Sequence, residues 1–278
     1  MTTTLKDFLL SLPLNDKKHQ TIGCYQSDLQ IDATKHQEFQ VYMGKALREA
    51  YIDSEYLAKL LKREGFDRTT RLIQSKFPPT PNIDKFNVRL GDFGEVMSHV
   101  VLQDFFSFII PIIKLRYKTN SDKAVFGIDV IAFKLHENPI KDKDRIVFAE
   151  VKTAYKSGDY GVKTVFEEVD KLLQPEARQK VRNAVVFICE RLFEKGNLDL
   201  EERLRRFLDC YSKPEYIEFF APFLIRESKL WKEKYLDGIK LNNIQCNKVK
   251  LCVVLIDGLE TVIETSYQLA GDLGGMNG

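Results

Sequence analysis

No two of the five cysteines (Cys24, Cys189, Cys210, Cys246 and Cys252) form a CxxC pair, and no histidine stands at ligand spacing from any of them. A zinc site is therefore not expected. Their number is odd and no signal peptide is visible, which points to a reducing compartment. Cys189 and Cys252 lie in aliphatic runs and read as small core residues. Charge of one sign is also lacking. The formal net charge is +2, so nucleic acid would have to be held by a local patch or a partner rather than by bulk charge. Long apolar runs are missing too. DFLLSLPL is too short to span a membrane and has no small-residue cleavage site, and VVLQDFFSFIIPII (100–113) is broken by Gln103, Asp104 and Pro111. A cytoplasmic protein is expected. No GxxxxGK[ST] occurs, and GDYG (158–161) lacks phosphate-loop spacing. Any step driven by nucleotide hydrolysis belongs to a partner.

What is present is ordinary globular material. The chain has 278 residues, of which 44% are hydrophobic and 29% charged. That suits one large α/β domain, or one domain with an added segment. Residues 1–80 read as a mixed, helical N-terminal segment. It carries a strand near 21–31, then helical spacing of Phe39, Tyr42, Met43, Leu47, Tyr51, Leu57, Leu60 and Leu61. The proline-rich KFPPTPNID (76–84) marks a boundary, and residues 81–278 form the main domain with a helical C-terminal elaboration. Its expected order opens with a helix over about 91–108 and a strand over 112–118. Two strands over 125–135 and 145–153 follow, joined as a hairpin by HENPIKDKD. Next comes a helix over 164–182 broken at Pro175. NAVVFICE (183–190) reads as an interior strand, residues 199–240 as helical, and 248–259 as a last strand. The tail GDLGGMNG is expected to be disordered.

Two of these strands carry charge where burial is expected. FGIDVIAFKL (126–135) sets Asp129 among aliphatics, and RIVFAEVKT (145–153) ends in Glu150-Val151-Lys152. Such charges are costly unless compensated. Alternation puts Glu150 and Lys152 on one face of their strand, and antiparallel pairing brings Asp129 close to Glu150. Two adjacent carboxylates repel unless a cation lies between them, and hard oxygen donors suit magnesium, with manganese as the other candidate. Water on such an ion could attack a phosphodiester in line, with Lys152 placed to orient that water or to stabilise charge on the phosphate. Asp129 and Glu150 are thus the candidate metal ligands, with the Val151 carbonyl as a further one.

Asp, a connection, then Glu-x-Lys resembles the signature of the PD-(D/E)XK nuclease superfamily over residues 88–190. That resemblance implies a restriction-endonuclease-like mixed sheet flanked by helices, with α-rich additions at both ends. It also implies a further glutamate from the preceding helix, for which RLGDFGEVMSHVVL supplies Glu95. The same residues, RLGDFGE upstream of GIDVIAF and FAEVKT, resemble the HamA nuclease subunit of Hachiman-type bacterial anti-phage systems and related AbpA-type proteins. The resemblance implies a metal-dependent effector nuclease that degrades DNA beside a superfamily 2 helicase. Ile128 stands where that superfamily often has proline.

Plainer readings exist for each residue. Glu-x-Lys recurs at Glu227-Ser228-Lys229, and Glu150 with Lys152 could be a salt bridge at a sheet end. Asp129 could mark a turn. Glu95 could simply sit well on a helix dipole, and His99, one turn on, reads as structural. Lys114, Arg116, Lys118 and Lys123 could meet a DNA backbone or line a solvated edge strand. IEFFAPFLI (217–225) reads as core or interface rather than a base-stacking platform. Two rival functions follow: a non-cutting DNA-structure-binding or helicase-regulating module, and an interaction protein docking through its apolar C-terminal region.

Overall fold

The computed structural model describes residues 3–10, 15–18, 24–79, 83–118, 121, 127–137, 143–208, 216–239, 241 and 248–273. Among them a mixed sheet of six strands organises the chain. In sequence order these are β1 (Asn15–Lys18), β2 (Tyr25–Gln30), β3 (Val130–Lys134), β4 (Arg145–Ala154), β5 (Ile217–Glu227) and β6 (Lys250–Ile256). Across the sheet the order is β1-β2-β6-β5-β4-β3. The inner pairs β2/β6, β6/β5 and β5/β4 are parallel. Only the outer pairs, β1/β2 and β3/β4, are antiparallel. The parallel strands are buried on both faces, which is why they read as apolar runs rather than alternating ones.

Eight helices accompany the sheet among the described residues: α1 (His36–Tyr51), α2 (Ser54–Glu64), α3 (Phe66–Gln74), α4 (Ile83–Asp104), α5 (Val162–Leu173), α6 (Arg178–Glu194), α7 (Leu198–Arg205) and α8 (Leu259–Gly271). Strand alternation divides the core in two. Val147, Ala149 and Val151 of β4 pack with Phe39 and Leu47 of α1, Phe93 and Met97 of α4, and Val262 and Ile263 of α8. Ile146 and Phe148 of the same strand pack with Val165 and Val169 of α5, Val185 and Ile188 of α6, and Leu204 of α7. The α/β class and the mixed sheet flanked by helices are as expected, and the arrangement is consistent with a restriction-endonuclease-like core. The residues before 76–84 share this sheet and core, since β2 pairs with β6 and Phe39, Met43 and Leu47 lie in the same cluster as α8.

Several sequence expectations give way. Residues 112–118 are not a strand; Lys114–Tyr117 is a 3₁₀ turn, and Ile109 instead makes the isolated bridge to Phe133. NAVVFICE lies within α6. Its buried residues Val181, Val185, Ile188, Cys189 and Leu192 recur at helical spacing once the window is widened. The interior strand is β5, inside the stretch read as helical, and Phe220, Leu224 and Ile225 are fully buried. Its pairing to β6 skips Pro222, running from Phe220↔Val249 to Phe223↔Cys252, since proline has no N–H to give. The break at Pro175 holds: α5 ends at Leu173, and a 3₁₀ turn at Pro175–Ala177 precedes α6. Helix α4 begins at Ile83, inside the proline-rich stretch, rather than at Gly91. Helix α8 was not foreseen; Leu273 beyond it is buried, and residues 274–278 of the tail lie outside the described residues. No described helix is long and apolar enough to cross a membrane.

Candidate active site

Helix α4 lies hard against β4 because of one glycine. A Cβ on Gly94 would overlap the Thr153 hydroxyl oxygen and come within 3.0 Å of Val151 Cγ1. Only glycine permits that approach, and it sets the next residue, Glu95, beside the end of the β3–β4 hairpin. Glu95 is therefore mid-helix, twelve positions after Ile83, and the helix dipole does not explain it. It is buried at 7% exposure.

Asp129 is not within a strand. It occupies the bend just before β3, whose first pair is Val130↔Ala149. One step further along that register is Glu150. The Val151 N–H donates to Asp129 Oδ2 at 2.8 Å, which fixes the carboxylate at the sheet's end, between its two faces. In extended backbone a residue's N–H and C=O point to the same side, so the Val151 carbonyl faces the Asp129 side as well. Residues 122–126, the front of the expected strand, lie outside the described residues.

The two glutamates approach Asp129 from opposite faces. Glu150 shares the α5/α6 face with Ile146 and Phe148, while Glu95 comes from α4. Burial pushes the Glu150 carboxyl up to about 8, and Asp129 adds to the effect while Lys180, Lys114 and Lys152 oppose it. Burial likewise pushes Glu95 up to about 8, opposed by Lys114 and assisted by Asp129 and Asp92. Glu95 Oε2 and Glu150 Oε1 are buried without a hydrogen-bond partner. Such orphaned oxygens are costly in a finished structure.

Lys152 follows on the Glu150 face of β4, beside Leu224 of β5. Its stem is roofed by Gly161, where a Cβ would fall 3.0 Å from Lys152 Cβ; the left-handed φ of 75° at Gly161 caps α5. Arg226, buried at the end of β5, donates to the Tyr160 carbonyl at 2.5 Å and holds this loop down. Alongside lies a cleft of about 610 Å³, lined by His99, Lys114, Asp129, Lys180 and Phe187 among others. His99 is buried and its Nδ1 lacks a partner. Burial, then Lys114 and Arg116, push it down to about 3, so it is neutral at physiological pH.

The sequence does not assign two lysines to this site, although it offers Lys114 as part of a basic stretch. Lys114 Nζ sits 3.4 Å from Glu95 Oε1 and 3.6 Å from Asp129 Oδ1, and donates to the Ile128 carbonyl at 3.1 Å. Lys180 reaches the Glu150 side from α6. The basic stretch is thus turned inward. Arg116 pairs with Glu49 at 3.0 Å and Asp53 at 3.1 Å, and Lys118 with Asp92 at 2.5 Å. The edge-strand reading does not describe these three residues, which lie on or next to a 3₁₀ turn; Lys123 lies outside the described residues.

All the donors gathered here are hard oxygens, the class that holds magnesium or manganese. Among the described residues, however, no three His, Cys, Asp or Glu side chains stand together closely enough to hold an ion. An ammonium, that of Lys114, occupies the space between Glu95 and Asp129. Against known proteins, the model of one family, described as HamA, matches residues 3–268. No curated protein matches the chain.

Proposed function

Because the chain belongs to the HamA family, the proteins of Hachiman-type anti-phage defence, we propose that it is a metal-dependent deoxyribonuclease, the effector that acts with a superfamily 2 helicase. The observation that carries this reading is the convergence on Asp129. A carboxyl group on each face of the sheet lies near enough to feel its charge, both with an oxygen left unpartnered, and Glu150 is followed two residues later by a lysine on the same face.

In this reading Asp129, Glu150 and the Val151 carbonyl hold the ion, and Glu95 supports it directly or through water. Magnesium or manganese there supplies a polarised water and offsets charge on the phosphate. The rest falls to the chain. The Val151 N–H keeps Asp129 aimed. Lys152, held in place by the Gly161 turn, orients the attacking water or takes up charge developing on the scissile phosphate. Attack is in line and in one step, with no covalent enzyme intermediate. The cleft beside Lys114 and Lys180 gives the nucleic acid a basic approach.

A second reading, a DNA-structure-binding or helicase-regulating module that does not cut, has one observation in its favour: the acidic groups are not gathered to metal-ligand spacing. Cleavage of plasmid and linear DNA separates the two. The test sets magnesium or manganese against chelator, and wild type against Lys152→Ala and Glu150→Ala, each with and without the helicase. The nuclease reading expects metal-dependent cutting that falls by about 10²–10⁴ in the variants. Wild-type silence in every arm, helicase included, leaves the non-cutting module.

A further inference from the structure

Lys114 has three oxygen neighbours around its ammonium: Glu95 Oε1 at 3.4 Å, Asp129 Oδ1 at 3.6 Å and the Ile128 carbonyl at 3.1 Å. Its side chain is 14% exposed. The segment that delivers it is fastened at two further points, Arg116 to Glu49 and Asp53, and Lys118 to Asp92. An oxygen cage around a positive charge is what a hard divalent ion requires, though at shorter distances. Glu95 Oε2, the oxygen not paired with Lys114, and Glu150 Oε1 have no hydrogen-bond partner. A single ammonium offers one charge and three donors, and it leaves the cage incompletely satisfied.

We propose that Lys114 is the resident counter-cation of this site, holding Glu95 and Asp129 in the place of a divalent ion and competing with that ion for them. This rests on the metal-dependent reading above. Lys114 is on this view a positioning residue. In the absence of metal it holds the Glu95 and Asp129 carboxyl groups in place. When metal binds, its ammonium must withdraw from the carboxylates, and the cleft that it lines gives it somewhere to go. The site then has a threshold: weak metal binding leaves it locked by its own lysine. A bound nucleic acid, whose phosphates attract the freed ammonium, would lower that threshold.

The test is manganese binding to the full chain without nucleic acid, followed by electron paramagnetic resonance of the free ion, for wild type, Lys114→Met and Glu150→Gln. Methionine keeps the stem and removes the charge. Lys114→Met is expected to bind manganese at least about tenfold more tightly than wild type, and Glu150→Gln more weakly. Equal or weaker binding by Lys114→Met, with Glu150→Gln still weakened, overturns the role of Lys114 and leaves the metal site standing. No binding to any of the three overturns both together. A second measurement needs only the wild type. Acetylation of Lys114, followed by mass spectrometry, should quicken when manganese is added, because the ammonium is released. An unchanged or slower rate overturns the proposal whatever the folding of the variant.

Discussion

Two lysine–carboxylate pairs lie one turn apart on α4, and they are built to opposite standards. Asp92 meets Lys118 at 2.5 Å and accepts from the Tyr51 hydroxyl, which lies 3.5 Å from the Tyr267 hydroxyl; Tyr267 in turn donates to the Arg89 carbonyl at 3.4 Å. Arg89 stacks over the Tyr267 ring and pairs with Glu264 at 2.9 Å. Glu95 meets Lys114 at 3.4 Å and keeps an oxygen unpartnered. The geometry that makes the two pairs is shared: carboxylates three apart on one helix face, and lysines four apart across the Lys114–Tyr117 turn. The difference lies in closure. The Asp92 pair is tied into a network joining α1, α4 and α8, so it fixes where α4 sits. The Glu95 pair opens onto Asp129 and a cleft, so it retains capacity for something else.

Breaking the closed pair should therefore cost stability and breaking the open one should not. Asp92→Ala leaves the Lys118 charge buried and unpaired, and a loss of about 3–5 kcal/mol is expected by denaturant unfolding. Glu95→Gln at pH 8 should be neutral or stabilising. Equal losses in the two variants would mean that both pairs are scaffold. Gly94→Ala comes next. Its methyl has to displace the Thr153 hydroxyl and press on Val151, at about 1–3 kcal/mol. If the approach of α4 to β4 is what aims Glu95, metal-dependent cleavage should fall further than the stability loss explains. A cleavage rate that merely tracks the folded fraction would separate Gly94 from the site.

The site onto which the open pair gives was more legible in sequence than the pair itself. Asp129, Glu150 and Lys152 break an aliphatic pattern, and charge in a buried strand is a signal that a single sequence can carry. Lys114 carried no such signal, because its partners are set by a turn that reads as a strand (IIKLRYK) and by residues distant in sequence. Lys180 falls in a stretch that the sequence does read as helical, and nothing local marks it; the strand reading of NAVVFICE failed because that segment is short and apolar, and only the window from Val181 to Leu192 shows its period. β5 failed for the converse reason. IEFFAPFLI has no alternation, being buried on both faces, and Pro222 argues against a central strand until its skipped rung is seen.

The smallest effect is the dependence of stability on pH, and the Glu150 variant reads it at the open site, onto which the Glu95 pair gives. Burial raises the Glu150 carboxyl to about 8 in the folded chain from an ordinary 4.5. The native state then binds more protons than the unfolded state between those values, so stability falls as pH rises through that window. Glu95 acts in the same direction. His99 acts in the opposite one: held near 3 when folded against 6.5, it lowers stability as pH falls below 6.5. Between about pH 7 and 8 the histidine slope has gone and the glutamate slope remains. In chelator, Glu150→Gln should match wild type near pH 4.5 and exceed it at pH 8 by at least about 1.4 kcal/mol, the worth of one pKa unit. Adding manganese should narrow or reverse the difference, because the ion stabilises more strongly the chain that retains the carboxylate. A wild type as stable as Glu150→Gln at pH 8 in chelator would mean that Glu150 is already compensated, and the site onto which the Glu95 pair opens would then be as closed as the Asp92 network.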